Sequence, residues 1–218
     1  MNFSLDKYGR RYSEEMRSFA VILHFYSAQA YECLKIHLTL PNVSTIRRWS
    51  SSIDCEPGFF TEALDDLQTR KYSQAQMRDV CIMFDCMAIK KEFVFDSKTG
   101  KYSACVDFGS TADSSDHLPT EELVVMAVGL RSHCKQPIAY FLVDKICANV
   151  QSQIVKDAIT HLIERGCLVH ATVCDGCFSN QKTATQLGCI LDVEKIRSTF
   201  QHPSYPGYIC LFLMPAIF

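Results

Sequence analysis

The chain has 218 residues, of which 48% are hydrophobic and 21% are charged, and its formal net charge is −2 at pH 7. These values are typical of a packed globular protein and exclude a chain that is disordered throughout. Because the net charge is slightly negative, any affinity for nucleic acid must come from local basic segments. No apolar run reaches about 18 residues, so we expect no transmembrane helix and no membrane partner.

The N-terminus and the cysteines indicate a reducing compartment. Residues 1–11 carry charges where a secretion signal would need an apolar core. The twelve cysteines are scattered, and most lie within apolar stretches. We therefore expect reduced and mostly buried thiols instead of a disulfide framework.

Four short helices are predicted before residue 72. Ser13 and Ser27 can cap the first two, because each precedes apolar residues at helical spacing. Pro41 is expected to stop the second helix. A fourth helix is predicted from Thr61 to Arg70.

The third predicted helix, over 45–53, carries a pair of basic residues. Ser44 can cap it, with Trp49 on the inner face and Arg47 and Arg48 on the outer face. Short helices with paired arginines on the third match a helix-turn-helix pattern, in which Arg47 and Arg48 would contact DNA. The alternative is the solvated surface of an ordinary small helical bundle.

After residue 72 the hydrophobic period becomes that of strands. The apolar run 80–89 predicts a central strand that is buried on both faces. Two hairpins are predicted to follow, the first from strands 93–95 and 102–108 and the second from strands 123–130 and 138–143. After them come a predicted helix over 149–165, a strand over 167–174 and a second helix over 179–187. This order favours a mixed α/β sheet with a crossover helix.

Two aspartates lie at unusual places in this pattern. Asp85 interrupts the apolar run 80–89, and Asp175 follows the strand 167–174 and precedes Gly176. A carboxylate in an apolar strand must be paired, protonated or bound to a cation. Two carboxylates that converge from neighbouring strands are typical ligands of Mg²⁺ at a phosphoryl-transfer site. The alternative is that Asp85 faces solvent and Asp175 forms a turn.

The spacing His170-x3-Cys174-x2-Cys177 offers a second kind of metal site. Histidine and cysteine are zinc ligands, but no second pair follows at related spacing. Buried structural thiols are therefore the favoured interpretation of these cysteines.

Longer segments of the sequence resemble one known family. The segment 40–59 is similar to the helix-turn-helix segment of the P-element transposase family, which includes THAP-domain-containing, transposon-derived vertebrate relatives. Four later segments are similar, in order and spacing, to the ribonuclease-H-like catalytic domain of that family: 84–90, 106–109, 138–142 and 172–176, with Asn180 after the last.

The resemblance implies a fold, a site and partners. The fold is an α+β or α/β chain with a helix-turn-helix-like helical module over 12–72 and a truncated ribonuclease-H-like mixed β-sheet domain over 77–208. Asp85 and Asp175 match the first two catalytic acids of the family, which bind Mg²⁺ or Mn²⁺ for DNA cleavage and strand transfer. The resemblance also implies DNA as a partner, a homo-oligomer and a nuclear location.

Several features of the family have no counterpart in this sequence. The N-terminal zinc-coordinating THAP domain is missing, and so is the GTP-binding insertion, so GTP is not expected to bind. The third catalytic acid, a glutamate beyond that insertion, is missing too, and Asp192 and Glu194 do not match it. The tail over 209–218 is interpreted as an aberrant end that results from a shifted reading frame.

Together these features predict a fragment of a P-element-type DNA transposase that is inactive as a nuclease in this form. The alternative is a non-catalytic DNA- or protein-binding module derived from a transposase. Because only two of the three acids are present, the sequence leaves open whether this chain is an enzyme.

Overall fold

The structure is a computed structural model, which describes residues 11–51, 56–73, 75–92, 94–96, 101–103, 106–107 and 117–215. The chain forms two compact units, Met1–Cys55 and Glu56–Phe218. In the part of the chain that the structure describes, no helix is both long and apolar enough to cross a membrane.

The first unit contains helices α1 (Glu14–Tyr26), α2 (Ala28–His37) and α3 (Val43–Ser50). The predicted caps of the first two are confirmed: Ser13 Oγ accepts a hydrogen bond from Met16 N at 3.3 Å, and Ser27 Oγ accepts one from Ala30 N at 3.1 Å. Buried side chains from the helices and the α2–α3 connection form a small core: Ala20, Tyr31, Leu40 and Ile46. Capping and local apolar spacing thus account for this unit.

One predicted helix start and one predicted helix end in this unit are wrong. The third helix begins at Val43 after Asn42, so Ser44 lies inside its first turn and is not the cap. The second helix ends at His37, before Pro41, and the Pro41 carbonyl instead accepts a hydrogen bond from the Tyr31 hydroxyl at 2.6 Å. The third helix ends at Ser50 with Ser51 as its C-cap, and residues 52–53 of its predicted continuation lie outside the described residues.

The second unit is built on a seven-stranded mixed sheet. Its elements are β1 (Gly58–Phe59), α4 (Thr61–Ser73), β2 (Asp79–Ala88), β3 (Val94–Asp96), β4 (Lys101–Ser103), β5 (Glu121–Gly129), β6 (Lys135–Val143), α5 (Ala148–Glu164), β7 (Leu168–Asp175), α6 (Phe178–Leu187), β8 (Thr199–Gln201) and β9 (Tyr208–Met214). The strand order is β1-β6-β5-β2-β7-β9-β8, and β3 with β4 forms a separate two-stranded sheet. The predicted mixed α/β sheet is confirmed, while the turn of the first hairpin, 97–100, lies outside the described residues.

One face of the sheet forms the core with the helices. Side chains of β2 and β5, such as Ile82, Phe84 and Val125, are buried together with Ile159 of α5 and Leu187 of α6. The crossover helix α5 ends as predicted, because Gly166 follows it with a φ of 75° that glycine adopts without strain. Residues 80–82 of β2 are all buried, as predicted for a strand covered on both faces, but from Met83 onward the residues of the other face are exposed, so the prediction holds only for the first part of β2.

The fourth helix belongs to the sheet unit. Leu64 and Leu67 of α4 are almost fully buried in the core of the sheet, and α4 contacts β6. The helical module predicted over 12–72 is therefore too long, because α4 buries its apolar face against the sheet and the compact units divide after Cys55.

The C-terminal boundary is also corrected. β9 pairs in parallel with β7, and Ile209 and Leu211 are buried in the core. The predicted domain end at 208 is wrong, because 208–214 is a strand of the sheet, and residues 216–218 of the predicted tail lie outside the described residues.

Candidate functional site

The two candidate acids lie on adjacent strands. β2 and β7 run in parallel, and their pairing extends to Met83 opposite Val173. Asp85 and Asp175 each follow two residues later, so they stand at the same level of the sheet. Because side chains alternate along a strand and paired strands lie about 4.7–4.9 Å apart, the two side chains share one face and are neighbours on it.

That face is the one turned away from the helix-covered core. Asp85 is exposed, while the preceding residue, Phe84, is buried on the opposite face. Asp175 is partly buried, and Cys174 before it is buried in the core. Both carboxylates are therefore accessible from the same side of the sheet.

The pKa values of two cysteines next to the aspartates, Cys86 and Cys174, agree with this proximity. Burial raises the pKa of Cys86 to about 12, and the charges of Glu121, Asp85 and Asp175 add to the effect. Burial also raises the pKa of Cys174 to about 12, with further contributions from Asp175 and Asp85. The negative charge of each aspartate thus raises the pKa of the cysteine on its own strand and that of the cysteine on the neighbouring strand.

The carboxylate of Asp175 has fixed hydrogen-bond partners. Its Oδ1 accepts hydrogen bonds from the backbone N–H of Cys177, at 3.2 Å, and from the side-chain amide of Asn180. The Cys177 side chain, the Cys177 backbone N–H and Asn180 together hold the pKa of Asp175 below its usual value, against the opposing effect of burial. Both N–H donors bond the same oxygen, Oδ1.

A third carboxylate does not join these two among the described residues. No group of three histidine, cysteine, aspartate or glutamate residues in that part of the chain is arranged to hold a metal ion. Asp192 and Glu194 are exposed in a turn after α6, where Asp192 Oδ1 accepts a hydrogen bond from Glu194 N at 3.1 Å. The ten residues of α6, about 15 Å of helix, separate this turn from the loop after Asp175.

The structure does not support the zinc alternative. His170 lies four residues before Cys174 on the same strand, which corresponds to about 13 Å, too far for both to bind one ion at about 2 Å. His170 Nε2 instead lies 2.8 Å from Asp79 Oδ1. Of the ten cysteines that the structure describes, four are buried, four are half-buried and two are exposed, so the prediction that most of them are buried is wrong.

The candidate DNA-contacting residues lie on the outer face of α3. Arg47 and Arg48 are exposed, whereas Ile46, which precedes them on the same helix, is buried. The Trp49 ring is half-buried, with the guanidinium of Arg17 5.2 Å from its centroid. The arrangement leaves both arginines available to phosphate groups.

Two polar residues next to the acids were not found from the sequence. Gln151 of α5 and Thr183 of α6 are buried and hydrogen-bonded in a network that includes Asn180. Asn180 follows Asp175 in the sequence, but its position in the chain alone indicates no role for it. The sequence feature that could indicate this network is the occurrence of three polar residues, Gln151, Asn180 and Thr183, on the buried faces of two helices.

A mixed sheet with parallel central strands, preceded in the sequence by a three-helix unit, agrees with a ribonuclease-H-like domain that follows a helical region. A family model described as TNP-like, RNase H N-terminal domain matches residues 55–188, and one described as Transposable element P transposase-like, HTH domain matches residues 2–49. The chain belongs to the P-element transposase-like family. Ribonuclease-H-like transposase domains generally use divalent metal ions.

Similar proteins were found among curated sequences and solved structures. The human DNA transposase THAP9 is 31% identical over 88% of this chain, and the Transposable element P transposase of Drosophila melanogaster is 28% identical over 86% of it. In both cases the match covers 22% of the relative. The structure of the Drosophila P element transposase strand transfer complex matches 95% of this chain and 42% of the solved chain, with a TM-score of 0.70 and 22% identity. The chain thus spans about a fifth of the length of its curated relatives.

Proposed function

We propose that this chain is a DNA-binding part of a P-element-type transposase in which Asp85 and Asp175 bind a divalent cation, Mg²⁺ or Mn²⁺. We further propose that it acts in the nucleus and that it does not cleave DNA by itself. The observation that supports the proposal is the parallel pairing of β2 with β7, whose last pair, Met83 and Val173, precedes Asp85 and Asp175 by two residues on each strand.

The donor set fits a hard divalent cation. Both side chains are carboxylates, and hard cations such as Mg²⁺ prefer oxygen ligands and retain several waters. Asp85 is exposed, and both N–H donors to Asp175 bond the same oxygen, Oδ1. A cation bound there would supply Lewis-acid polarisation of a phosphoryl oxygen.

The residues of this chain contribute binding and orientation. Cys177 N and Asn180 hold Oδ1 of Asp175, and they keep the carboxyl ionised because hydrogen bonds to the charged form lower its pKa. The open face leaves room for a phosphate backbone to approach both acids. The exposed Arg47 and Arg48 of α3 supply positive charge for DNA phosphates.

A non-catalytic role for this chain is favoured by the number of acids. Two-metal phosphoryl transfer needs several carboxylates, because each cation requires oxygen ligands in addition to the substrate phosphate. Among the described residues, no third acid joins Asp85 and Asp175. We therefore propose weak cation binding, with a dissociation constant on the order of millimolar, without DNA cleavage.

The proposal is tested with the purified 218-residue chain, by electron paramagnetic resonance of free Mn²⁺ and by a cleavage assay on duplex DNA. Mn²⁺ binding should be weakened at least tenfold by Asp85→Asn and by Asp175→Asn, because each removes one of two ligands. Asp192→Asn is the matched control, since it removes an exposed carboxylate in the turn after α6.

Each outcome bears on a separate part of the proposal. If Asp85→Asn and Asp175→Asn both leave the Mn²⁺ affinity unchanged, these acids are not cation ligands. Cleavage by the unmodified chain that is lost in Asp85→Asn would show that the chain is an active nuclease. Binding without cleavage supports both parts.

A further inference from the structure

We propose that Asn180, held by Gln151 and Thr183, is a positioning residue that orients the carboxylate of Asp175 toward a bound cation. This inference rests on the proposed function of Asp175 as a cation ligand. The polar network, defined as Gln151, Asn180 and Thr183, connects the interior of the α5–α6 contact to the edge of the site.

The network is buried and its side chains are paired with one another. Gln151 is 1% exposed and Asn180 is 4% exposed. Gln151 Nε2 donates to Asn180 Oδ1 at 2.8 Å, and Thr183 Oγ1 donates to Gln151 Oε1 at 2.9 Å. Asn180 Nδ2 donates to Asp175 Oδ1.

The direction of every bond follows from the carboxylate. An ionised carboxylate accepts hydrogen bonds and cannot donate, so the NH₂ group of Asn180 must face Asp175. Its carbonyl oxygen must then face Gln151, which meets it with an NH₂ group, so the Gln151 oxygen faces Thr183. The orientation of both amides is thus determined in sequence from Asp175 to Gln151: a flip of Asn180 would break its bonds to Asp175 and Gln151, and a flip of Gln151 would break its bond to Asn180.

Stability alone does not call for these side chains. Buried polar groups lose their hydration and regain it only through partners, and apolar residues of similar shape are often as stabilising at such positions. The surrounding helix contact is apolar, with Ile154, Ala184 and Leu187 buried beside it. A polar network that ends on a candidate ligand carboxylate therefore points to orientation of that carboxylate.

The consequence for Asp175 is geometric. With Oδ1 held by Asn180 and by Cys177 N, rotation of the carboxylate is restricted. Hydrogen-bonding partners of metal ligands commonly set ligand orientation, and their removal weakens metal affinity by roughly 10–100-fold. We expect this effect for Asn180 although it does not contact the cation.

The test uses the 218-residue chain with Mn²⁺ affinity and with side-chain amide resonances as readouts. Asn180→Ala should weaken Mn²⁺ binding about tenfold or more. Asn149→Ala is the matched control, because Asn149 is exposed on α5 and lies outside the network. In the unmodified chain, Mg²⁺ should shift the side-chain NH₂ resonances of Asn180, and Asp175→Asn should abolish the shift.

A second variant separates orientation from folding. Asn180→Ala leaves the Gln151 amide without its partner, so the double variant Gln151→Leu with Asn180→Leu replaces both amides by apolar side chains of similar size. We expect this variant to unfold at a temperature close to that of the unmodified chain and still to bind Mn²⁺ about tenfold more weakly.

The outcomes distinguish the two proposals. If Asp85→Asn and Asp175→Asn abolish Mn²⁺ binding while the folded double variant keeps full affinity, the positioning role of Asn180 is overturned and the cation site stands. If the Asp175→Asn variant binds Mn²⁺ as the unmodified chain does, the cation site and the positioning role both fall.

Discussion

His202 illustrates how a single buried side chain links the fold to pH. Its ring is 6% exposed, and its Nδ1 accepts a hydrogen bond from Ser204 N at 3.2 Å. Nε2 lies 3.4 Å from Thr160 Oγ1. Burial lowers the pKa of His202, and a proton on Nδ1 would also remove the bond from Ser204. The folded protein therefore contains the neutral ring.

The free energy of unfolding should fall as the pH drops below about 6.5. An unfolded histidine takes up a proton near that pH. Because the pKa of His202 is lower in the folded state, the unfolded state then binds more protons, and stability decreases as pH falls. Urea unfolding between pH 7.5 and 5 should show a smaller loss for His202→Gln than for the unmodified chain. His133→Gln, at an exposed loop position, is the control, and equal losses in both variants would contradict the assignment.

Arg47 and Arg48 are expected to act through charge alone. Exposed arginines on one helix face contact phosphates and not base edges unless the helix enters a groove, so their loss should weaken binding to all duplex sequences similarly. The double variant Arg47→Ala with Arg48→Ala should lower the slope of log affinity against log salt by about 2. Lys35→Ala serves as control, since Lys35 on α2 is paired with Glu32. An unchanged slope would leave both arginines as ordinary surface charge.

At the scale of elements, helix boundaries depend on which residue actually caps the first turn. Ser27 precedes α2 in an extended backbone conformation and accepts the hydrogen bond of Ala30 N. Ser44 has the same residue type and a similar sequence context, but the structure places it inside α3 after Asn42. The two serines therefore differ in energetic role.

Ser27→Ala should destabilise the protein by about 1 kcal/mol, because it removes an N-cap bond. Ser44→Ala should change the free energy of unfolding by only a few tenths of a kcal/mol, in either direction, since alanine is the best helix former at an interior position. Chemical unfolding followed by circular dichroism compares the two variants directly. A larger loss for Ser44→Ala would show that α3 begins at Ser44.

At the scale of the whole sheet, the face that carries the acids also exposes large apolar side chains. Met83 and Met87 of β2 and Phe212 of β9 are exposed, Phe212 to 56%. Asp85 and Asp175 lie on this face, which is opposite to the helix-covered core. Large exposed apolar side chains that share one face promote association in solution.

We expect the purified chain to self-associate as its concentration rises. Phe212→Lys should reduce the weight-average mass measured by light scattering, because it replaces an exposed apolar side chain of this face by a charge. Ile190→Lys is the matched control, since it adds the same charge at an exposed apolar residue outside the sheet. Equal reduction by both variants would attribute the effect to net charge and not to this face.

Much of the architecture could be read from local patterns. The caps Ser13 and Ser27, the α5 helix with Gly166 after it, and the strand periods around Asp85 and Asp175 depend on neighbours within a few residues. Such signals are local because helix capping and side-chain alternation are set by the backbone of the element itself. The resemblance to the family likewise depends on short segments of sequence, such as 172–176, that can be compared without a structure.

Only the tertiary structure decided what those elements do together. Asp85 and Asp175 become neighbours through the parallel register of β2 and β7, which is set by pairing between distant segments. The burial of Leu64 assigns α4 to the sheet, and the pairing of β9 with β7 makes 208–214 part of the domain. The bond from Gln151 to Asn180 likewise joins two helices. These features depend on which surfaces bury each other, and that is a property of the folded chain and not of any local stretch of sequence.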